Sequence, residues 1–156
     1  MHYGGEPMQS GRVSLCAPTR RELSSAIAHS DLDEHQRGWF RRAERDDATL
    51  YFGVHVQDRV IGQIFLHDVS GREAMVGYHV FRRADRRNGY GTEALSGLCE
   101  FALGGLAMRR LVAITGVGNA ASRRIAMKCG FREIGAAREG PHLVCYERCR
   151  DTRTCA

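Results

Sequence analysis

The feature that most restricts the fold of this chain is a change of hydrophobic period near residue 82. From residue 48 apolar side chains alternate, with Leu50, Phe52, Val54 and Val56 on one face of a strand. Asp58-Arg59 makes a tight turn and Val60 to Val69 returns as the partner strand. Ser70-Gly71-Arg72 turns again, and residues 73–81 (EAMVGYHVF) form a third strand. Three antiparallel strands in succession make a meander. The alternation breaks at Arg82-Arg83-Ala84-Asp85-Arg86-Arg87-Asn88-Gly89-Tyr90-Gly91, and apolar residues resume at helical spacing: Ala94, Leu95, Leu98, Ala102 and Leu106. A sheet that leads through a glycine loop into a helix is an α/β arrangement.

The flanking segments extend this pattern. Residues 12–16 (RVSLC) read as a first strand, and Thr19-Arg20-Arg21-Glu22 is a capping box that opens a helix after Pro18. A second helix starts near Ser30 or Asp31, carries Leu32, Trp39, Phe40 and Ala43 on its apolar face, and ends before Asp46-Asp47. Trp39 and Phe40 read as core residues that pack this helix on the sheet. Its acidic first turn (Asp31, Asp33, Glu34) suits the helix dipole. Residues 110–115 (RLVAIT) read as a buried strand, and a helix from Asn119 to Lys128 stops at Gly130. Phe131 to Ala137 and Leu143 to Cys149 read as final strands. No repeat or linker interrupts the 156 residues. One domain over 12–150 is expected, between a flexible N-terminal segment (1–11) and a C-terminal tail (151–156).

Composition removes several classes of function. The chain is 43% hydrophobic and 26% charged, as soluble globular proteins are. It has no apolar run of about 18 residues, and its polar start MHYGGEPMQSG has no signal-like apolar stretch. The reading is a cytoplasmic protein with no membrane partner. Six cysteines (Cys16, Cys99, Cys129, Cys145, Cys149, Cys155) form no C-x-x-C pair, so reduced thiols and no metal are expected. The net charge of +5 comes from an excess of arginine, notably Arg82, Arg83, Arg86, Arg87, Arg109, Arg110, Arg123 and Arg124. These residues lack the interleaved aromatics of a nucleic-acid binder, and their clustering fits a compact polyphosphate better.

The chemistry concentrates at Arg86 to Thr92. Gly89 and Gly91 let the chain curl with positive φ and approach a ligand closely. The helix start supplies unpaired N–H groups with positive partial charge, and Arg86 and Arg87 add formal charge. No Gly-Lys-Ser/Thr follows, and the G-x-G-x-x-G spacing is absent, which argues against a Walker loop and a dinucleotide fold.

Arg86-Arg87-Asn88-Gly89-Tyr90-Gly91, continued by Thr92-Glu93-Ala94-Leu95, resembles the Arg/Gln-x-x-Gly-x-Gly/Ala hallmark of the GNAT N-acetyltransferase superfamily. Asn119-Ala120-Ala121-Ser122-Arg123-Arg124, ending at Lys128-Cys129-Gly130-Phe131, resembles that family's Asn-x-x-Ser helix. The wording is closest to the branch of ribosomal-protein alanine N-acetyltransferases. The resemblance implies a mixed, mostly antiparallel sheet of six to seven strands flanked by about four helices. It implies acetyl-CoA as co-substrate, with the diphosphate on Arg86, Arg87, Asn88, Gly89, Tyr90, Gly91 and Thr92. The pantetheine arm would pair with the backbone of Val80 and Phe81, and Asn119 would reach it from the far side. Acceptors in such a family are protein N-termini, small amines or amino sugars, and homodimers are common. Two departures stand out: the loop from Gly77 to Gly89 is a residue longer than the commonest pattern, and Ala126 replaces a tyrosine that protonates the leaving thiolate in many relatives.

The same resemblance puts Ser122 near the sulfur as proton donor. For the base, Glu73 and His79 share one face of their strand by odd numbering, and Glu139 is a more distant candidate. Asp31, Asp33 and Glu34 are expected either to border the acceptor cleft or simply to cap their helix. The missing tyrosine leaves one alternative, a coenzyme A-binding module without catalysis.

Overall fold

The computed structural model describes residues 1–43 and 45–151, and it leaves the side chains of Trp39, Arg42 and Ala43 outside the described set, so the expected packing of Trp39 lies outside it too. The elements run β1 (Met8–Ser10), β2 (Val13–Cys16), α1 (Arg20–Ala28), α2 (Glu34–Ala43), β3 (Leu50–Val56), β4 (Arg59–Ser70), β5 (Glu73–Val80), α3 (Tyr90–Cys99), β6 (Arg110–Gly116), α4 (Ala120–Lys128), β7 (Arg132–Ala137) and β8 (Gly140–Cys149). A single 3₁₀ turn, Arg83–Asp85, precedes α3, and a π-helical stretch, Glu100–Gly105, prolongs it.

The eight strands form one sheet in the order β1-β2-β3-β4-β5-β6-β8-β7. This is an α/β fold with one strand more than the sequence pattern suggests. The extra strand, β1, lies within the segment expected to be flexible and pairs Met8 with Leu15 and Ser10 with Val13. Three residues of mixed polarity are too few to show a period, so the pairing becomes visible only in three dimensions. Every neighbouring pair is antiparallel except β5 with β6, which are parallel and joined through α3. A crossover of this kind is what a parallel pair requires.

Helix starts follow side-chain capping. Thr19 accepts the Glu22 N–H at 3.1 Å while the Glu22 carboxylate accepts the Thr19 N–H at 2.7 Å, completing the expected capping box. Helix α2 begins at Glu34, later than the pattern suggests, because Asp33 is its cap. Asp33 Oδ1 accepts the Gln36 N–H at 2.8 Å, and Gln36 Oε1 accepts the Asp33 N–H at 3.0 Å. Asp31 is thereby freed to donate its N–H to the Phe81 carbonyl at 2.9 Å.

Two apolar clusters occupy the two faces of the sheet. On one face Ala94, Leu95, Leu98 and Ala102 of α3 and its extension bury against Val13, Leu15, Phe52, Ile64 and Leu66. On the other, Leu23, Ile27, Leu32 and Phe40 of the α1–α2 region cover Val60 and Phe81. The neighbours Val60 and Ile61 belong to different clusters, as side-chain alternation demands. Cys16, Cys99, Cys129 and Cys145 carry free thiols, and burial pushes that of Cys99 up to about 12. Cys149 is disulfide-bonded, which departs from the all-reduced reading. Among the described residues no helix is long and apolar enough to cross a membrane.

Leu98 has no exposed surface, whereas Leu106 is 44% exposed. Leu98→Ala is expected to lower the unfolding free energy by about 2–5 kcal/mol in urea titration, and Leu106→Ala by no more than about 0.5 kcal/mol.

Candidate active site

The site begins where a sheet fails to continue. Strands β5 and β6 pair only from Glu73–Arg110 to Val76–Ala113, although β5 runs on to Val80 and β6 to Gly116. Beyond Ala113, β6 keeps its pairing with β8, and β5 keeps its pairing with β4, so the two diverge. Backbone direction alternates along a strand. The Phe81 N–H bonds the Ile61 carbonyl of β4 at 2.9 Å, so His79 and Gly77 also face β4, and Tyr78 and Val80 turn their amides and carbonyls into the gap. The cavity there measures about 870 Å³ and is lined by Tyr78, His79, Asn119, Ser122, Ala126 and Tyr146, with Tyr51, Phe65 and His67 toward its far end.

This geometry corrects one backbone assignment. Phe81 gives its N–H to Ile61 and its carbonyl accepts the N–H of Asp31, so neither group opens on the gap. Val80 does face it, with its carbonyl accepting the Arg86 guanidinium at 3.2 and 3.3 Å, and the other residue of this stretch whose backbone faces the gap is Tyr78.

The glycine loop lies beyond the end of β5 and is anchored on both sides. Asp85, buried, takes a bidentate pair from Arg59 at 2.7 Å, and this hydrogen bonding holds its carboxyl below the ordinary range. The Asp31 carboxylate accepts the Arg83 N–H. Gly89 caps α3 in the left-handed conformation, φ 83°, and Arg87 is also left-handed at φ 63°. Gly91 has no positive φ; a Cβ there would meet Ile125 Cδ1 of α4 at 3.1 Å, so its smallness serves helix packing, contrary to the turn role expected. Unlike α1 and α4, α3 has no side-chain cap, which leaves the first-turn amides of Tyr90, Gly91 and Thr92 without an intrahelical partner. Asn88 donates to the Ala84 carbonyl at 3.2 Å, while its own carbonyl accepts Arg12.

Arg12 escaped the sequence reading. It reaches over from the β1–β2 turn, pairs with Glu93 at 3.0 Å and lies 4.5 Å from the Tyr90 ring centroid. No local pattern signals this contact, because the two segments meet only through tertiary packing.

Of the three expected catalytic residues, Ser122 and His79 line the cavity and Glu73 does not. Ser122 stands in the first turn of α4 with its N–H capped by Asn119 Oδ1 at 3.1 Å, and its hydroxyl makes no hydrogen bond among the described residues. His79 lines the cavity edge-on to Phe40 at 5.1 Å, and burial, followed by the charge of Arg86, lowers its pKa from the ordinary 6.5. Glu73 is not brought to the cavity: it pairs with Arg110 at 3.1 Å at the opposite end of β5, beside the buried Glu147 that Arg110 and Arg132 hold at 2.7 and 2.6 Å. Shared strand parity gave Glu73 the same face as His79 but said nothing of position along the gap. Glu139 lies exposed in the β7–β8 turn. Asp31 and Asp33 are held in capping and loop contacts, and Glu34 pairs with Arg41 at 3.1 Å. The carboxylates that border the cavity are instead Asp46 and Asp68.

A diverging pair of central strands, an uncapped helix start beside it and a second helix across the gap together define a class of acyl-transfer fold. Residues 13–132 match the family described as the acetyltransferase (GNAT) domain, and the chain belongs to that family. It is an acetyl-CoA-dependent N-acetyltransferase. It is 29% identical over 140 residues to the uncharacterized N-acetyltransferase YoaA of Bacillus subtilis, covering 88% of this chain and 69% of that protein. Over 106 residues it is 30% identical to the Bacillus subtilis protein named "Putative ribosomal N-acetyltransferase YdaF", covering 67% of this chain and 57% of that one, in line with the ribosomal-protein branch. Among solved structures, Mycobacterium smegmatis RimJ in complex with CoA-disulfide superposes with a TM-score of 0.71 at 18% identity, covering 92% of this chain and 86% of that one, a likeness of fold.

The Asp85–Arg59 pair generates a pH test. Because the folded pKa of Asp85 is depressed from the ordinary 3.8, its contribution is complete above that value and is lost as pH falls through the depressed one. Arg59→Met is expected to lower the urea midpoint at pH 7, with the deficit shrinking once the pH drops below 3.8.

Proposed function

We propose that the chain transfers the acetyl group of acetyl-CoA to a primary amine by direct attack of the amine on the thioester. The single observation that carries this reading is the gap between β5 and β6, with the uncapped start of α3 nearby. The diphosphate rests on the amides of residues 88–92, with Arg86 and Arg87 contributing charge. The pantetheine arm runs along the Val80 and Tyr78 edge as an extra strand, and Asn119 reaches it from α4. A thioester is already activated, so holding amine and carbonyl together supplies much of the rate, and positioning of this kind is worth roughly 7–11 kcal/mol. His79, kept neutral by burial, accepts the amine proton directly or through water. Ser122 donates toward the leaving sulfur. The acceptor is a protein N-terminus, a small amine or an amino sugar, and the active form is a cytoplasmic homodimer or monomer without a bound metal.

A second reading, coenzyme A binding without turnover, draws on Ala126, which is buried against the cavity where relatives carry a tyrosine.

Acetyl-CoA incubated with a panel of primary amines is expected to release free thiol, with kcat/KM falling on an acidic limb below pH 6.5. The limb follows from a base whose pKa is depressed from that value: it is neutral and competent above it and protonated below. In His79→Ala the limb should flatten. Thiol release absent across the panel, with coenzyme A still bound, would favour the second reading.

A further inference from the structure

We propose that Tyr78 is the acid that protonates the departing coenzyme A thiolate, from the strand side of the gap opposite helix α4. This inference rests on the acetyl-transfer reading above and replaces Ser122, the proton donor named there, with a stronger acid.

The geometry starts from the face of α4 that looks into the cavity. Ser122 and Ala126 are one helical turn apart, so they share that face, and both line the cavity. Ala126 presents only a methyl group. The phenol of Tyr78 comes across from β5 and lies on this face, with its hydroxyl donating to the Ser122 carbonyl at 3.3 Å. A hydroxyl bond of that length is well beyond the usual 2.7–2.8 Å, and a thiolate is a stronger, charged acceptor that would outcompete the carbonyl for the proton. The small side chain at 126 and the phenol at 78 are therefore complementary: one makes room on the helix for what the other supplies from the strand.

Alternation along β5 adds a second, independent constraint. Tyr78 and His79 are consecutive and point to opposite faces of the sheet. His79 packs against Phe40 of α2, and Tyr78 packs with the cluster that includes Ala126 and Cys129 of the α4 region. Acid and base are thus presented from opposite faces of the sheet at the strand edge along which the thioester would lie, so that one can take a proton from nitrogen while the other delivers one to sulfur. A phenol, with an ordinary pKa near 10, lies within about two units of a thiol near 8.5, and an aliphatic hydroxyl such as Ser122 is a far weaker acid. Burial raises the Tyr78 phenol further, which keeps it protonated before the reaction.

The step balances. The amine lone pair forms the C–N bond to the carbonyl carbon, and the C–S bond breaks with its electron pair on sulfur. Sulfur takes the phenol proton to give free coenzyme A. The nitrogen proton passes to His79 and on to solvent, and the phenolate recovers a proton from solvent. One proton leaves nitrogen for each one gained by sulfur.

The test needs no knowledge of the acceptor, because the probe is coenzyme A alone. The thiol of the bound molecule is titrated by the ultraviolet absorbance of its thiolate, in the wild type, in Tyr78→Phe and in Ser122→Ala, with calorimetry reporting affinity. Tyr78→Phe is expected to bind within a few-fold of the wild type and to raise the thiol titration by about one pH unit, a tenfold loss of thiolate at fixed pH. Ser122→Ala is expected to move it less. An unchanged titration in Tyr78→Phe with affinity retained overturns the proposal, as does a loss of affinity with no change in the titration of what still binds. Should Tyr78→Phe fail to fold, 3-fluorotyrosine at position 78 keeps the shape and makes the phenol more acidic. The thiol titration must then shift downward, and one that does not move overturns the proposal. If the wild type does not bind coenzyme A at all, the acetyl-transfer reading fails, and that outcome is distinct from the others.

Discussion

Four residue pairs of parallel sheet hold β5 to β6, and the site depends on the pairing stopping there. The separation is built from both sides. On one side β4 draws β5 close: a Cβ on Gly62 would come 2.1 Å from the His79 carbonyl oxygen, an approach that only glycine allows. Gly77 likewise leaves its space to the Phe65 ring, 2.4 Å from where a Cβ would stand. On the other side, β8 pairs with β6 to its end at Gly116. The backbone groups of Tyr78 and Val80 are left facing a gap, where only the Val80 carbonyl has a side-chain donor, Arg86, and a main chain that no strand pairs is open to an added one. An extended ligand rich in amides meets that demand.

The same demand recurs at α3. The three other helices cap their first amides with Thr19, Asp33 and Asn119, and α3 has Gly89 in the corresponding place. Glycine supplies the left-handed turn but no oxygen, so the helix start keeps its donors and its positive partial charge for an anion. Two paired anchors, Asp85 with Arg59 and Asp31 with the Arg83 amide, fix the loop before any ligand arrives. Much of the arginine excess is spent internally. Arg110 and Arg132 flank Glu147, and Arg123 pairs with Glu133. Arg82, Arg83, Arg86 and Arg87, all exposed, supply the charge around the loop.

Periodicity made the meander, the glycine loop and the α3 and α4 helices legible, because a half-buried strand and an amphipathic helix each stamp a local period on the sequence. The gap itself left no such mark. Whether Phe81 or Tyr78 faces it depends on which neighbour each amide already bonds, and that is set by Ile61 and Asp31, distant in sequence. Glu73 shows the same limit, since parity assigns a face while the ion pair with Arg110 decides where along the strand the carboxylate is used. The spacing marks Gly91 as a turn glycine, whereas its constraint comes from Ile125 on another helix. Tyr78 lies on the even-numbered face of β5, and its contact with Ser122 of α4 is made across 44 residues of sequence, so no local pattern marks it.

Backbone amide exchange with deuterium, measured with and without coenzyme A, tests the central claim most directly. The account predicts that ligand slows exchange at Tyr78 and Val80 and at Tyr90 to Thr92, while the core amide of Leu98 is unaffected beyond the general gain in stability. Exchange at those five amides that is the same with saturating coenzyme A as without it would contradict the account.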